Sequence, residues 1–173
     1  MENWQNLYRE LAERITEKMP EIRWVDLWHN QVGFLEDEHP LPTPAVFIAF
    51  RSNSTQDAGE LAQIVDLQVD FYLFYETFLD TFHGAYNMDG ALDFTKSLDA
   101  LFGIFHGTTG ENYSSMRRTA FAPVDTGSAG NLYQVSFECK LQDTSAMKYY
   151  EGVKASLQVQ DEKGENNYFI PHG

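Results

Sequence analysis

The segment "IVDLQVDFYLFY" constrains this chain more than any other. Val65, Leu67, Val69, Phe71, Leu73 and Tyr75 alternate with Asp66, Gln68 and Asp70, the two-residue period of a β-strand with one apolar and one polar face. Twelve residues at about 3.4 Å each span roughly 40 Å, about twice the usual strand. A strand of that length either bends at a bulge or projects beyond its sheet. At its far end Tyr72 and Phe74 make the second face apolar as well, so that end is expected to be covered.

Other segments supply the partners. From Glu2 to Met19, Trp4, Leu7, Tyr8, Leu11 and Ile15 recur at three- and four-residue steps, which predicts an amphipathic helix ended by Pro20. "EIRWVDLW" reads as a short strand and "EDEHPLPTP" as an acidic loop. "AVFIAF" (Ala45–Phe50) is a continuous apolar run of strand length, the pattern of burial on both faces. Arg51–Glu60 is polar without periodicity and reads as a loop. A second long loop covers Glu76–Asp89, and both are expected to be mobile until they meet a neighbour.

A second helix is predicted from about Ala91 to Phe105, with Leu92, Phe94, Leu98, Leu101, Phe102 and Phe105 as its stripe and Asp89 as its cap. Two strands follow, Ser115–Pro123 and Leu132–Gln142, joined by the hairpin-like "VDTGSAGN". Mostly sequence-adjacent antiparallel pairs predict an α+β fold: a mainly antiparallel sheet with two helices packed on one face. Residues 1–148 form one expected domain, and residues 149–173 an arm.

Candidate chemistry is sparse. The histidines His29, His39, His83, His106 and His172 show no metal spacing. Glu36, Asp37, Glu38 and His39 read as a solvated charged loop. Asp66 and Asp70 share a strand face about 14 Å apart, too wide for paired-carboxylate hydrolysis, and read as a wetted face with Gln68. "HGTTGEN" and "TGSAGN" lack the lysine and glycine pattern of phosphate cradles. Ser136 has no sequence-local partner. Cys139, the single cysteine, excludes an intramolecular disulfide and reads as a buried small hydrophobe. No catalytic, cofactor-binding or metal-binding residue is expected, and the chain is not expected to be an enzyme.

The net charge of −14, from 12 basic and 26 acidic side chains, argues against direct contact with duplex DNA or an anionic membrane. Arg117 and Arg118 are the one basic doublet that stands out. Adjacent on a strand, they point to opposite faces and form no patch. No segment is long and apolar enough for a membrane span, and "MENWQNLYRELAERI" lacks the pattern of a signal peptide, so synthesis in the cytoplasm is expected.

The order "PAVFIAF", "VDLQVDFYLFYE", "LDALFGIFHG" and "MRRTAFAPVDTGSAGNLYQVSFECKLQDTSA", with Asp143 closing the last strand, resembles bacteriophage and prophage tail terminator (tail completion) proteins over roughly residues 4–148. The resemblance implies a small α/β structural protein that forms a homohexameric ring on the tail tube and joins it to the head. The partners it implies are other copies of the chain, the tail tube protein and a head-tail connector protein, with localisation in the virion tail after assembly. It carries over no catalytic residue. Arg117 and Arg118 are the choice for ion pairs between subunits. The alternative is a stand-alone ligand- or peptide-binding module with a pocket lined by Trp24, Trp28, Tyr72, Phe74 and Phe78.

The arm lies outside the resemblance. Val153, Ala155, Leu157 and Val159 alternate with Lys154, Ser156, Gln158 and Gln160, one more strand pattern. Val153, Leu157 and Val159 are therefore expected to pair with an exposed sheet edge, of their own domain or of a neighbouring subunit.

Overall fold

The computed structural model describes residues 3–34, 41–76, 79–126 and 130–147. The arm with Val153, Leu157 and Val159, the Glu36–His39 cluster and Phe78 lie outside the described residues.

The chain folds as α+β. Helix α1 (Asn3–Lys18) is followed by β1 (Trp24–Leu27), β2 (Ala45–Asp57) and β3 (Gln63–Tyr75). The short α2 (Met88–Ala91) and α3 (Phe94–Phe105) come next, then β4 (Ser114–Val124) and β5 (Asn131–Asp143). The strands form one sheet in the order β1-β2-β3-β5-β4. Among the described residues only the β1–β2 pair is parallel.

The alternation of β3 sorts the molecule into layers. Val65, Leu67, Val69, Phe71 and Leu73 face α1 and α3, and meet Leu7, Leu11, Ile15, Leu101 and Phe105. Phe71 stacks on Phe105 at 4.7 Å and meets Phe137 edge-on at 5.6 Å. Both helices thus pack on the same face. Most of the driving force sits here, since each large side chain taken out of water contributes about 1.5–3 kcal/mol. The far end of β3 is also covered on its second face. Phe74 is buried there with Ala45, Phe47, Leu132 and Val32, beneath Trp28 and Leu41. Ala45–Ile48 are accordingly buried on both faces.

Four expectations change. Arg51–Asp57 is not a loop: it continues β2, paired with Gln63–Gln68 of β3 across a register shift between Ser52 and Ser54. Main-chain hydrogen bonds carry this stretch, and they need no apolar pattern; its side chains are exposed on both faces. β3 therefore does not project alone, because β5 pairs with it along its whole length.

The second helix runs in two pieces. The amides of Asp93, Thr95 and Lys96 bond three residues back, which tightens the chain between α2 and α3 and leaves Leu92 half exposed. Asp89 falls inside the first turn of α2 rather than at a cap, and Asp93 bonds Lys96.

Candidate interaction surface

The expected aromatic pocket is a core. Trp28 stacks on Tyr72 at 4.2 Å and tilts onto Phe47 at 5.7 Å, with Phe74 fully buried among them. Burial pushes the Tyr72 hydroxyl above its ordinary pKa. Trp24 belongs elsewhere, on the outer strand β1, where it is 42% exposed. Among the described residues of the set, Trp24 thus lies apart from the Trp28, Tyr72 and Phe74 cluster.

The carboxylates of β3 part company. Asp66 is exposed and ion-paired with Lys140 at 2.5 Å; bonds from Lys140 and then Ser54 hold its carboxyl below the usual range. Asp70 is only 2% exposed, which corrects the reading of a wetted face. Ser136 donates its hydroxyl to Asp70 at 2.5 Å, and the Gln68 amide donates to both carboxylate oxygens at 2.9 and 3.1 Å. The partner missing from the sequence is supplied by register, because Asp70 lies opposite Ser136. A serine beside a carboxylate has the outline of an activated nucleophile. Here both groups are buried, with no imidazole between them among the described residues, and the arrangement gives a buried carboxyl group its hydrogen bonds.

Cys139 is buried, and desolvation pushes its thiol up to about 12. Among the described residues no group of three or more His, Cys, Asp or Glu side chains is placed to hold a metal ion, and no helix is long and apolar enough to cross a membrane. An open groove of about 570 Å3 lies between Asn3, Thr109–Ser114 and Lys140–Gln142. The Glu111 and Asn112 amides along it already donate to Glu10.

Exposed apolar side chains mark both sheet edges. On one side, the first half of β4 is covered: Gly107 and Thr108 bridge to Met116, and the Arg118 amide donates to His106 Nδ1 at 3.1 Å. Beyond it Phe121 stands 56% exposed. Arg117 and Arg118 point to opposite faces, as expected. Arg118 lies over the Phe102 ring at 3.9 Å, while Arg117 is exposed opposite Glu138. Among the described residues neither arginine is in an ion pair.

On the other side, the four residues of β1 cover only Ala45–Ile48 of β2. Trp24 and Leu27 are exposed on this edge. Sequence reasoning missed one further feature. The segment after β3 holds Phe82 and Tyr86, 64% and 97% exposed, on a stretch expected to meet a neighbour but without these two residues singled out. Two aromatics without periodicity were the available signal.

No protein-family model matches the chain, and no curated protein is similar to it.

Proposed function

We propose that this chain is a non-enzymatic assembly subunit that closes head-to-tail into a ring, capping a phage tail tube and joining it to the head. One observation carries the reading: the sheet ends in two unlike edges. One offers β4 with Arg117 and Phe121; the other offers β1 with Trp24 and Leu27. A two-fold dimer repeats one surface on both partners, whereas a ring needs two different surfaces that fit each other. Two edges on opposite sides of one sheet meet that requirement. Arg117 is the basic group at the contact, in a chain whose net charge of −14 leaves few cations to place. The resemblance in segment order supplies the tube, the connector and the sixfold count. The acidic surface suits a passage that DNA crosses without sticking.

The test is stoichiometry and symmetry in solution and on tubes. Light scattering of the free chain is expected to give a monomer or a cyclic oligomer. A two-fold dimer that persists at every concentration contradicts the ring. Phe121→Asp and Trp24→Asp, on opposite edges, are each expected to prevent closure while leaving the fold intact. Neither substitution changing assembly would remove the edges from the account.

A further inference from the structure

Among the described residues, nothing pairs with the outer side of β2 from Ala49 to Asp57. This is a long, unpaired strand edge with no proline, and such edges are normally covered, charged or twisted away. The opposite edge is blunted further: β4 carries two register shifts, against one in β2, together with Pro123, and its first half is bridged. β2 is the edge that lacks a cover.

We infer that residues 153–159 of the same chain add to this edge as a sixth strand, antiparallel to Arg51–Asp57. Four observations point to that occupant. The seven residues 153–159 match Phe50–Asp57 once the extra residue at the Ser52/Ser54 register shift is left unpaired. The arm also leaves the fold at the right end of the sheet, since Asp143, the last residue of β5, is level with Gln63 and so with Asp57. An arm entering there and running toward Arg51 is antiparallel to β2.

The reach suffices as well. Three strand spacings, from β5 across β3 and β2 to the vacant position, come to about 14 Å. The six steps from Met147 to Val153 extend to about 20 Å. The vacant half of β4 is a poorer target, because its far end at Val124 is level with Leu132, some 37 Å along β5 from Asp143.

Finally, the side chains match. Phe50, Ser52 and Thr55 lie opposite Val69, Leu67 and Val65, so they share the helix-side face. Trp4 sits over this corner, half exposed. Its ring meets Phe50 at 5.9 Å, and its indole donates to Asp143 at 3.2 Å. Trp4 thus links the arm's point of departure to the open edge. Val153, Ala155, Leu157 and Val159 would lie on this face against Trp4 and Phe50. Lys154, Ser156 and Gln158 would lie on the polar face with Arg51 and Ser54. The bare polar half of β2 is then an acceptor for main-chain hydrogen bonds, with specificity supplied by alternate side chains. This inference does not depend on the ring or on the tail tube.

Residue-resolved amide exchange on the full chain tests it. The alternate amides of Ser52–Gln56 that face away from β3 are expected to be protected by at least about tenfold relative to the full chain carrying Val153→Asp and Leu157→Asp. Amides between β3 and β5 serve as the control and are expected not to change. Equal exchange of the edge amides in both chains overturns the inference. Independently of any variant, antiparallel pairing gives Hα–Hα nuclear Overhauser contacts between 153–159 and 51–57, and their absence overturns it too. Contacts that vanish on dilution, and return as a dimer forms, assign the strand to a second copy and overturn attachment within one chain.

Discussion

Gly110→Ala probes how α1 is fastened to the rest of the fold. Glu10 projects from α1 into the connection between α3 and β4. One of its oxygens accepts the Glu111 amide at 3.0 Å; the other accepts the Asn112 amide and the Asn112 side-chain amide, each at 2.9 Å. Arg14 braces the same carboxylate at 3.3 Å and donates to the Tyr113 hydroxyl at 2.6 Å. A Cβ at position 110 would stand 1.9 Å from Glu10 Oε1, 2.8 Å from its Cδ and 2.5 Å from Tyr113 Cε1. No packing tolerates those distances. The flexible carboxylate withdraws, and the Tyr113 ring tilts. Hydrogen bonds to a charged acceptor are worth about 1.5–3 kcal/mol each, but the freed amides face an open groove and regain water, so the net loss is about 2–4 kcal/mol. For a domain of this size that lowers Tm by about 5–15 °C. Thermal unfolding followed by circular dichroism reads it. The cost of Gly110→Ala is expected to fall by at least about 1 kcal/mol in a Glu10→Ala background, because the two positions are coupled. A Tm unchanged within about 1 °C, or an equal cost with and without Glu10, refutes the reasoning.

Ser136→Ala removes the hydroxyl donated to buried Asp70, and chemical denaturation is expected to show a loss of about 1–3 kcal/mol with an unchanged fold. The Cys139 thiol, pushed up to about 12 by burial, is expected to resist thiol reagents at pH 8 in the folded chain and to react fully on unfolding; fast native labelling would contradict its burial. Ser145, followed by Trp4 and Asn3, donates to Asp143 and holds its carboxyl below the ordinary 3.8. A depressed carboxyl stabilises the fold above its unfolded value and loses that contribution as pH falls through the folded one. Asp143→Asn is therefore expected to destabilise at pH 7, with the two chains converging below pH 3.8 in acid titrations. Parallel curves across that range would count against the corner.

The strands and helices with apolar periodicity were legible, since α1, β3, β5 and most of α3 owe their placement to side chains that seek one core. Arg51–Asp57 was not, because main-chain hydrogen bonds to β3 fix it and its side chains record nothing of that. Cys139 was read correctly from its alternation alone. Asp70 was misread for the opposite reason: its environment is set by Ser136, which lies 66 residues away and meets it only through strand register. The doublet Arg117–Arg118 was legible as two faces of a strand. Arg118 resting on Phe102 was not, because that contact joins α3 to β4 across the edge. Trp24 and Trp28 illustrate the limit of composition. They are similar in sequence context, yet one stacks in a core and the other stands on an open edge.

The central claim is assembly at the end of a tube, and electron microscopy of tubes grown with the chain tests it most directly. Tubes polymerised from a phage tail tube protein are expected to stop growing when the chain is added. One end should then show a closed ring of six copies, and the Phe121→Asp chain should neither bind nor stop growth. Tubes that lengthen at an unchanged rate, with no added density at either end, would contradict the account.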